Sequence, residues 1–283
     1  MSPTLIGLVL FAAVLHAGWN AMAKSGGSPL YSIAAYHLVA AAISLCLVWW
    51  VPPPPAEAWP YIVISVLVHN AYYFTLGQAY RKGDLSLVYP LFRGSAPLLV
   101  AGGAAWFAGE HLSEKALAGV FLISAGLFSL ALFGGLRVKS SLPTLGWAMA
   151  TAALIAVYTV ADGMGVRAVE NSLSYILWLF AFEALPICLW LVATQRQAWL
   201  GFLARNRAHA LAGGIASSAA YGLVIYAMSL GPMALVSSLR ETSVIFAALI
   251  GTLLLREPFG RQRIIAATLV ALGVIVIRYH VDP

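Results

Sequence analysis

Ten apolar runs, each about twenty residues long, are separated by short polar connections along this chain and leave little choice of fold. A helix needs roughly 20 apolar residues, within a range of about 17–25, to cross the hydrocarbon core of a bilayer. The runs cover residues 4–23, 30–50, 60–80, 86–108, 115–135, 144–166, 173–194, 208–229, 233–255 and 262–279. Backbone groups that face lipid must form hydrogen bonds within their own segment, and the runs are too long and uniformly apolar for β-barrel strands. The sequence therefore predicts an all-α integral membrane protein with ten transmembrane helices.

The composition also indicates a membrane protein, and it argues against a nucleic-acid partner and a disulfide framework. Only 9% of the residues are charged, whereas a soluble domain has roughly 25%. We therefore expect a multi-pass protein surrounded by the lipid bilayer, in the plasma membrane or, in bacteria, the inner membrane. The net charge of +6 does not predict a nucleic-acid partner, because the 16 basic residues are scattered between apolar runs. Cys46 and Cys188 lie inside such runs, so no disulfide framework is predicted. The first run lacks the basic start of a signal peptide and is interpreted as a retained helix.

Internal similarity divides the chain into two halves. Two pairs of segments correspond: 79–91 with 226–239, and 117–127 with 264–274. Glu110 and Glu257 occupy equivalent positions between them and are interpreted as structural. The halves are residues 1–136 and 143–283, joined by a short linker at 137–142. Five crossings in each half would make the second half enter the membrane upside down, which is the inverted-repeat plan common among secondary transporters.

The distribution of basic residues supports this inversion independently. The odd-numbered connections hold eleven of the Lys and Arg residues, and the even-numbered connections with the C-terminal tail hold only Lys115, Arg167 and Arg278. Arg93 and Arg240 lie inside predicted spans. The positive-inside rule would place the odd connections in the cytoplasm and both termini outside.

Two five-helix halves, the Gly…Glu…Gly pattern of the matching segments and the chain length resemble the drug/metabolite transporter superfamily, EamA type. The resemblance covers essentially the whole chain and implies a secondary transporter whose two halves surround a central cavity. Members of this superfamily are usually drawn with cytoplasmic termini, which conflicts with the charge count and leaves the absolute orientation open. The sequence carries no HExxH, GxSxG or phosphate-loop motif and no zinc-ligand spacing, so neither an enzyme, a cofactor nor a metal site is predicted.

Polar side chains inside the spans are the candidates for substrate contacts. A charged side chain at the bilayer centre costs about 2.5–3.5 kcal/mol on insertion scales, so one found there usually faces a cavity or a partner. Helical spacing places several of these residues on shared faces. The predicted substrate-contacting residues are His16, Trp19, Asn20, His69, Asn70, Tyr73, Arg93, Tyr158, Asp162, Tyr221, Arg240 and Glu241. The candidates for proton exchange are His16, His37, Asp162 and Glu183.

The fourth and ninth spans carry the strongest charges. Pro90 and Pro97 bracket Arg93, and proline can leave carbonyl groups free to face a cavity. Arginine suits bidentate recognition of carboxylate or phosphate-like oxygens, and the related sugar-phosphate translocators bind phosphate with basic residues on the corresponding helices. Arg240 beside Glu241 also admits a simpler interpretation as a structural ion pair. Lys24, at the end of the first span, is interpreted as an interface anchor.

The mixed charges favour a zwitterion or an organic anion that bears an amine, such as an amino acid or an aminophosphonate. The segment HAGWNAMAK at 16–24 also resembles a subgroup of these transporters associated with phosphonate utilisation. Three alternatives remain open: a facilitator or exchanger of a cationic drug-like solute, a membrane sensor that does not transport, and a membrane enzyme. The protein is expected to act as a monomer or a homodimer.

Overall fold

All regular structure is helical in the ranges that the computed structural model describes, residues 1–82, 85–135, 141–255 and 260–280. Glu257 and most of the predicted linker lie outside these ranges. The α-helices are α1 (Pro3–Ser25), α2 (Pro29–Leu47), α3 (Trp59–Lys82), α4 (Leu85–Ala108), α5 (Glu114–Gly135), α6 (Leu142–Arg167), α7 (Ser172–Arg205), α8 (Arg207–Leu230), α9 (Met233–Arg240), α10 (Ser243–Leu255) and α11 (Arg261–His280). The predicted all-α class is confirmed.

Nine of the ten predicted spans each correspond to one helix within the described ranges. Seven helices there are long and apolar enough to cross a bilayer: α1, α2, α5, α6, α7, α8 and α11. Of the others, α9 and α10 are too short to span alone, and polar residues within α3 and α4 lower their mean hydropathy.

The ninth predicted span, 233–255, is broken in its middle rather than continuous. The backbone N–H of Glu241 donates to the carbonyl of Ser238, three residues back, at 3.1 Å. The next N–H, of Thr242, reaches Leu239 at 3.1 Å, again over three residues. A tight turn with this spacing replaces the regular α-helical ladder and separates α9 from α10. The prediction of one uninterrupted ninth helix was wrong because the apolar count cannot show a local change of hydrogen-bond spacing.

Helix α7 runs beyond its predicted end at residue 194. Gln195 has φ −140° and ψ 30°, outside the helical range, and marks a kink inside the helix. The residues that follow, which the sequence analysis treated as a connection, continue as helix to Arg205. The Tyr31 hydroxyl at the start of α2 donates to Gln195 Oε1 at 2.6 Å and ties the kink to the neighbouring helix.

The main helix contacts form a pattern that is symmetric between the two halves of the chain. Helix α1 packs on α8, and its counterpart pair, α6 with α3, also packs together. Similarly, α2 packs on α8 as α7 packs on α3. Helices α5 and α11, the last of each half, pack extensively on one another. The same helix contacts therefore recur in both halves of the chain.

Small residues bring α5 and α11 into backbone contact. A Cβ added to Gly273 would lie 2.8 Å from the carbonyl oxygen of Gly119, and one added to Gly119 would lie 3.0 Å from that of Gly273. One added to Gly126 would lie 3.0 Å from the carbonyl oxygen of Ala266. Gly126 corresponds to Gly273 and Ala266 to Gly119 in the internal repeat, so the contact obeys the same symmetry. Close approach through small residues is a common way for membrane helices to associate.

We expect Gly273→Ala to destabilise the protein, because the new methyl group would meet the rigid backbone of Gly119. Forced overpacking usually costs about 1–3 kcal/mol. Gly146→Ala is the matched control, since a Cβ at Gly146 of α6 would have open space within 4 Å among the described residues. An exposed helical Gly→Ala change favours the helix by about 1 kcal/mol, so the control should keep or raise Tm. Thermal unfolding in detergent measures both, and an unchanged Tm for Gly273→Ala would contradict the proposed close contact.

Candidate functional site

A buried ion pair joins the two halves of the chain. Arg93 Nε of α4 lies 2.7 Å from Glu241 Oε2, which sits in the break between α9 and α10. A guanidinium nitrogen of Arg93 also donates to Ser243 Oγ at 2.8 Å. Arg93 is 5% exposed and Glu241 is fully buried. The Tyr89 ring lies 5.8 Å from the Arg93 guanidinium carbon, within cation–π distance. The two prolines around Arg93 are accommodated inside a continuous α4.

Arg240 is a second buried cation beside the same carboxylate. Its Nη2 lies 3.6 Å from Glu241 Oε1, and the residue is 2% exposed. The sequence left open a structural ion pair between Arg240 and Glu241, but the closer partner of Glu241 is Arg93 from the other half. Arg93 Nε, Arg240 Nε and Nη2 and both Glu241 oxygens lack an aligned hydrogen bond to any described residue. Two guanidinium groups thus face one carboxylate, with unused donors and acceptors.

Asp162 of α6 is fully buried and is held by tyrosine hydroxyls from two other helices. The Tyr175 hydroxyl of α7 donates to Asp162 Oδ1 at 2.9 Å. The Tyr221 hydroxyl of α8 donates to Asp162 Oδ2. Both carboxylate oxygens are therefore satisfied by hydrogen bonds rather than by an ion pair. This arrangement fixes three helices of the second half against one another.

Glu183 of α7 lies between two histidines of the first half. Its Oε2 is 3.6 Å from His37 Nδ1 and its Oε1 is 3.8 Å from His69 Nε2. His69 Nδ1 lies 3.0 Å from the Ser65 carbonyl and 3.1 Å from the Ser65 hydroxyl, and Nε2 faces Glu183. The Tyr73 hydroxyl is hydrogen-bonded to His37 Nε2. The four titratable side chains form a row across the interface between α2, α3 and α7.

Aromatic contacts join the Asp162 and Glu183 sites. The His69 ring stacks on Tyr158 with centroids 3.8 Å apart and meets the edge of Tyr221 at 5.4 Å. Tyr221 is the hydroxyl donor of Asp162, and His69 faces Glu183.

Asn70 lies one position beyond His69 on α3 and makes only backbone contacts among the described residues. Its amide donates to the Val66 carbonyl at 2.8 Å and to the Glu183 carbonyl at 3.4 Å. It therefore links α3 to the backbone of α7 rather than to the Glu183 carboxylate.

The predicted residues of the first span differ in how exposed they are. His16 meets Trp19 edge to face with centroids 5.0 Å apart. Asn20 is exposed and its amide donates to the His16 carbonyl on its own helix at 2.8 Å, whereas Asp162 is fully buried. Lys24 is exposed at the end of α1, as an interface anchor would be.

The interior polar side chains described above, which come from both halves, are called the polar layer. They include the Arg93–Glu241 pair and the row of His37, Glu183 and His69. Separation of the two halves would expose these groups.

Three residues that contact predicted site residues were not themselves predicted from the sequence. Ser65 contacts His69 Nδ1 at 3.1 Å and lies four residues before it, so helical spacing alone could have indicated it. Ser243 follows the break in the ninth span, which the apolar pattern does not show. Tyr175 lies in the following helix from its partner Asp162, and only tertiary packing brings the two together.

A second ion pair lies outside the polar layer, at the even-numbered connections. Arg167 at the end of α6 contacts Glu110 Oε2 at 3.1 Å. Arg167 also donates to the backbone carbonyls of Met228 at 2.8 Å and Gly231 at 2.7 Å. Glu110 Oε1 accepts from the Ala234 N–H at 3.4 Å. Glu110 thus connects the α4–α5 loop to α6 and to the start of α9.

Comparison with known proteins shows what this arrangement is similar to. The model of the EamA-like transporter family matches residues 4–132 and 142–279, one match in each half. A solved structure described only as "Crystal structure of protein" is 22% identical, covers 97% of this chain and 96% of its own, and aligns with a TM-score of 0.71. At that identity the likeness shows the fold. No curated protein matches the chain.

Proposed function

The chain belongs to the EamA-like transporter family, and on that premise we propose that it is a secondary active transporter of a small amphoteric or anionic organic metabolite. Family membership makes it a transporter of the drug/metabolite type in the plasma membrane and indicates transport rather than catalysis. The choice of an amino acid or aminophosphonate as cargo, the coupling and the alternating-access cycle are the proposed parts.

The observation that carries the proposal is the buried group of Arg93, Arg240 and Glu241. Two cations against one carboxylate leave an excess positive charge in the interior. Buried charges without full hydrogen bonding are costly, so their persistence suggests that they act on something other than each other. The unused guanidinium donors suit a carboxylate or phosphonate, and Glu241 suits an ammonium group.

The break between α9 and α10 supports the same location for the cargo. Transporters commonly bind substrate at interrupted transmembrane helices, where backbone groups are released and helix ends point inward. The buried Glu241 lies in this break and faces Arg93 of the opposite half. A cargo that takes over the partners of Glu241 would weaken the contact between the halves, and this gives binding a direct route to alternating access.

The ion pair of Glu110 and Arg167 would hold the two halves together at the even-numbered connections. It joins connections from both halves and remains partly exposed, with the Arg167 side chain at 34%. Opening of the halves on this side would require it to separate.

Proton exchange is proposed at Glu183. The two histidine nitrogens lie 3.6 and 3.8 Å away, longer than a hydrogen bond of about 2.7–3.2 Å. A small shift of the helices or a bridging water would complete a path from Tyr73 through His37 and Glu183 to His69. Histidine and carboxylate groups are the usual carriers in such relays. If transport ignores a proton gradient of either sign, a facilitator or exchanger is the better mechanism.

We expect amphoteric compounds to raise the Tm of the purified protein more than matched compounds with one charge removed. The test compares alanine with propionate and ethylamine, and 2-aminoethylphosphonate with ethylphosphonate and ethylamine. The reason is that only the amphoteric member can engage the arginines and Glu241 together. At a concentration of 100 times Kd, binding stabilises by about 2.7 kcal/mol, which is readily seen in thermal unfolding.

The panel also includes sugar phosphates and cationic drugs. Stabilisation confined to cationic amines would contradict the proposed cargo and favour the drug-exporter alternative. Uptake of the best stabiliser into proteoliposomes then tests transport itself, since a sensor would bind without flux.

A further inference from the structure

We propose that the kink of α7 forms a binding site for the phosphate headgroup of an anionic phospholipid, separate from the polar layer. Ser172–Thr194, the part of α7 before the kink, is about 34 Å long at about 1.5 Å per residue. This matches a hydrocarbon core of roughly 30 Å, so the kink at Gln195 falls at the membrane surface. The segment after the kink therefore begins where lipid headgroups lie.

The segment after the kink, Arg196–Arg205, has one face fixed to the protein. Trp199 packs with Leu191 of α7 and Ala34 of α2, and Phe202 packs with Ala35 of α2. Trp199 is 2% exposed and Phe202 is 7% exposed. These anchors hold the short helix against the bundle and leave its other face outward. Leu200, 46% exposed, lies beside this outward face and suits the acyl-chain boundary.

The outward face contains a shallow hollow that is largely open to its surroundings. Arg196 and Arg205 line it, together with Gln195 and Gly201. A Cβ added to Gly201 would lie 3.4 Å from a guanidinium nitrogen of Arg205, so the glycine leaves room for this side chain to fold over the hollow. Within the described ranges, neither arginine has a carboxylate oxygen within 4 Å. Among the described residues, no carboxylate therefore competes with an anion that binds from outside.

Charge complementarity favours an anionic lipid as the occupant. The sequence has no Asp or Glu between Glu183 and Glu241, and Arg207 adds a third exposed cation directly after the segment. The kink lies on the side that carries eleven of the 16 basic residues. Anionic lipid headgroups attract basic residues that lie near the membrane surface. Arginine is also well suited to phosphate oxygens.

The test is titration of the detergent-purified full chain with short-chain phosphatidylglycerol or phosphatidylcholine, followed by native mass spectrometry. We expect phosphatidylglycerol to bind more tightly, and the double variant Arg196→Gln/Arg205→Gln to weaken its first binding step by on the order of tenfold. The double variant Arg81→Gln/Arg261→Gln removes the same charge from exposed positions on the same side and should keep wild-type affinity. Equal weakening in both double variants would overturn a defined site in favour of diffuse attraction.

Two further measurements test whether binding needs the hollow as well as its charge, and whether the ligand is a lipid rather than free phosphate. Gly201→Leu keeps both arginines but fills the hollow, so it should weaken phosphatidylglycerol binding with Tm unchanged. Inorganic phosphate at millimolar concentration should displace little bound lipid, because it lacks the acyl chains that contact the exposed apolar side. Wild-type binding by Gly201→Leu, or full displacement by inorganic phosphate, would overturn the lipid site.

Discussion

Arg93→Ala is expected to abolish transport of the amphoteric compound that stabilises the wild-type protein most. The change removes the buried guanidinium that faces Glu241 across the two halves. Truncating one buried, hydrogen-bonded charge at a binding interface costs about 2–5 kcal/mol, which corresponds to a loss of roughly 1.5 to 3.5 orders of magnitude in affinity. Uptake into proteoliposomes, measured over time with the labelled compound, should fall to the level of empty liposomes.

The same substitution leaves Glu241 without its closest partner, so a folding defect must be separated from a loss of binding. Removing one member of a buried ion pair typically costs about 3–5 kcal/mol of stability, whereas replacing both members by neutral residues is often nearly neutral. Because Arg240 also contacts Glu241, the triple variant Arg93→Met/Arg240→Met/Glu241→Gln, which removes all three charges, should recover much of the Tm and still fail to transport. Arg81→Ala is the matched control on an exposed arginine and should transport normally.

A purely structural ion pair gives a different result. In that case Arg93→Met/Arg240→Met/Glu241→Gln would fold and transport at the wild-type rate, and the proposed cargo site would be wrong. Arg93→Lys adds a finer test, because lysine keeps the charge but not the bidentate geometry. We expect it to fold normally and to bind the cargo more weakly.

Glu183→Gln is expected to remove transport driven by a proton gradient while leaving exchange of cargo across the membrane intact. Glutamine has nearly the shape of glutamate but cannot carry the proton between His37 and His69. An imposed pH gradient should drive accumulation in wild-type proteoliposomes and none in the variant. Counterflow, in which internal unlabelled cargo drives uptake of labelled cargo, needs no net proton movement and should continue.

The control for this second experiment is Glu170→Gln, at an exposed position between α6 and α7. It makes the same chemical change outside the polar layer and should keep gradient-driven uptake. Accumulation by Glu183→Gln equal to that of the wild type would exclude Glu183 as the proton carrier. Loss of both activities would assign it a role in binding or in the movement of the halves.

Much of the fold was predictable because lipid imposes simple rules on a chain. Run length predicted the helices, and the internal repeat predicted that α5 and α11 are equivalent and that Gly126 matches Gly273. The break at Glu241 and the helical extension beyond Gln195 were not predictable. Both depend on backbone geometry and packing that an apolar count does not contain.

The candidate site was predictable in its residue types but not in its pairings. The cost of charge in a bilayer singled out Arg93, Asp162 and Glu183 from the sequence. It did not show that Asp162 is held by tyrosine hydroxyls while Glu183 lies between two histidines. Asn20, on the same helix face as His16, is exposed in the structure, because spacing defines a face but not what the face packs against.

The sequence by itself determined that this chain lies in a membrane as two related five-helix halves with a few charged residues inside, because hydropathy, repeats and charge are properties of local segments. Only the tertiary structure decided which of those charges meet. Arg93 and Glu241 are separated by more than a hundred residues along the chain and 2.7 Å in space. A buried charge must find a partner, but the choice among several partners depends on the packing of helices from both halves.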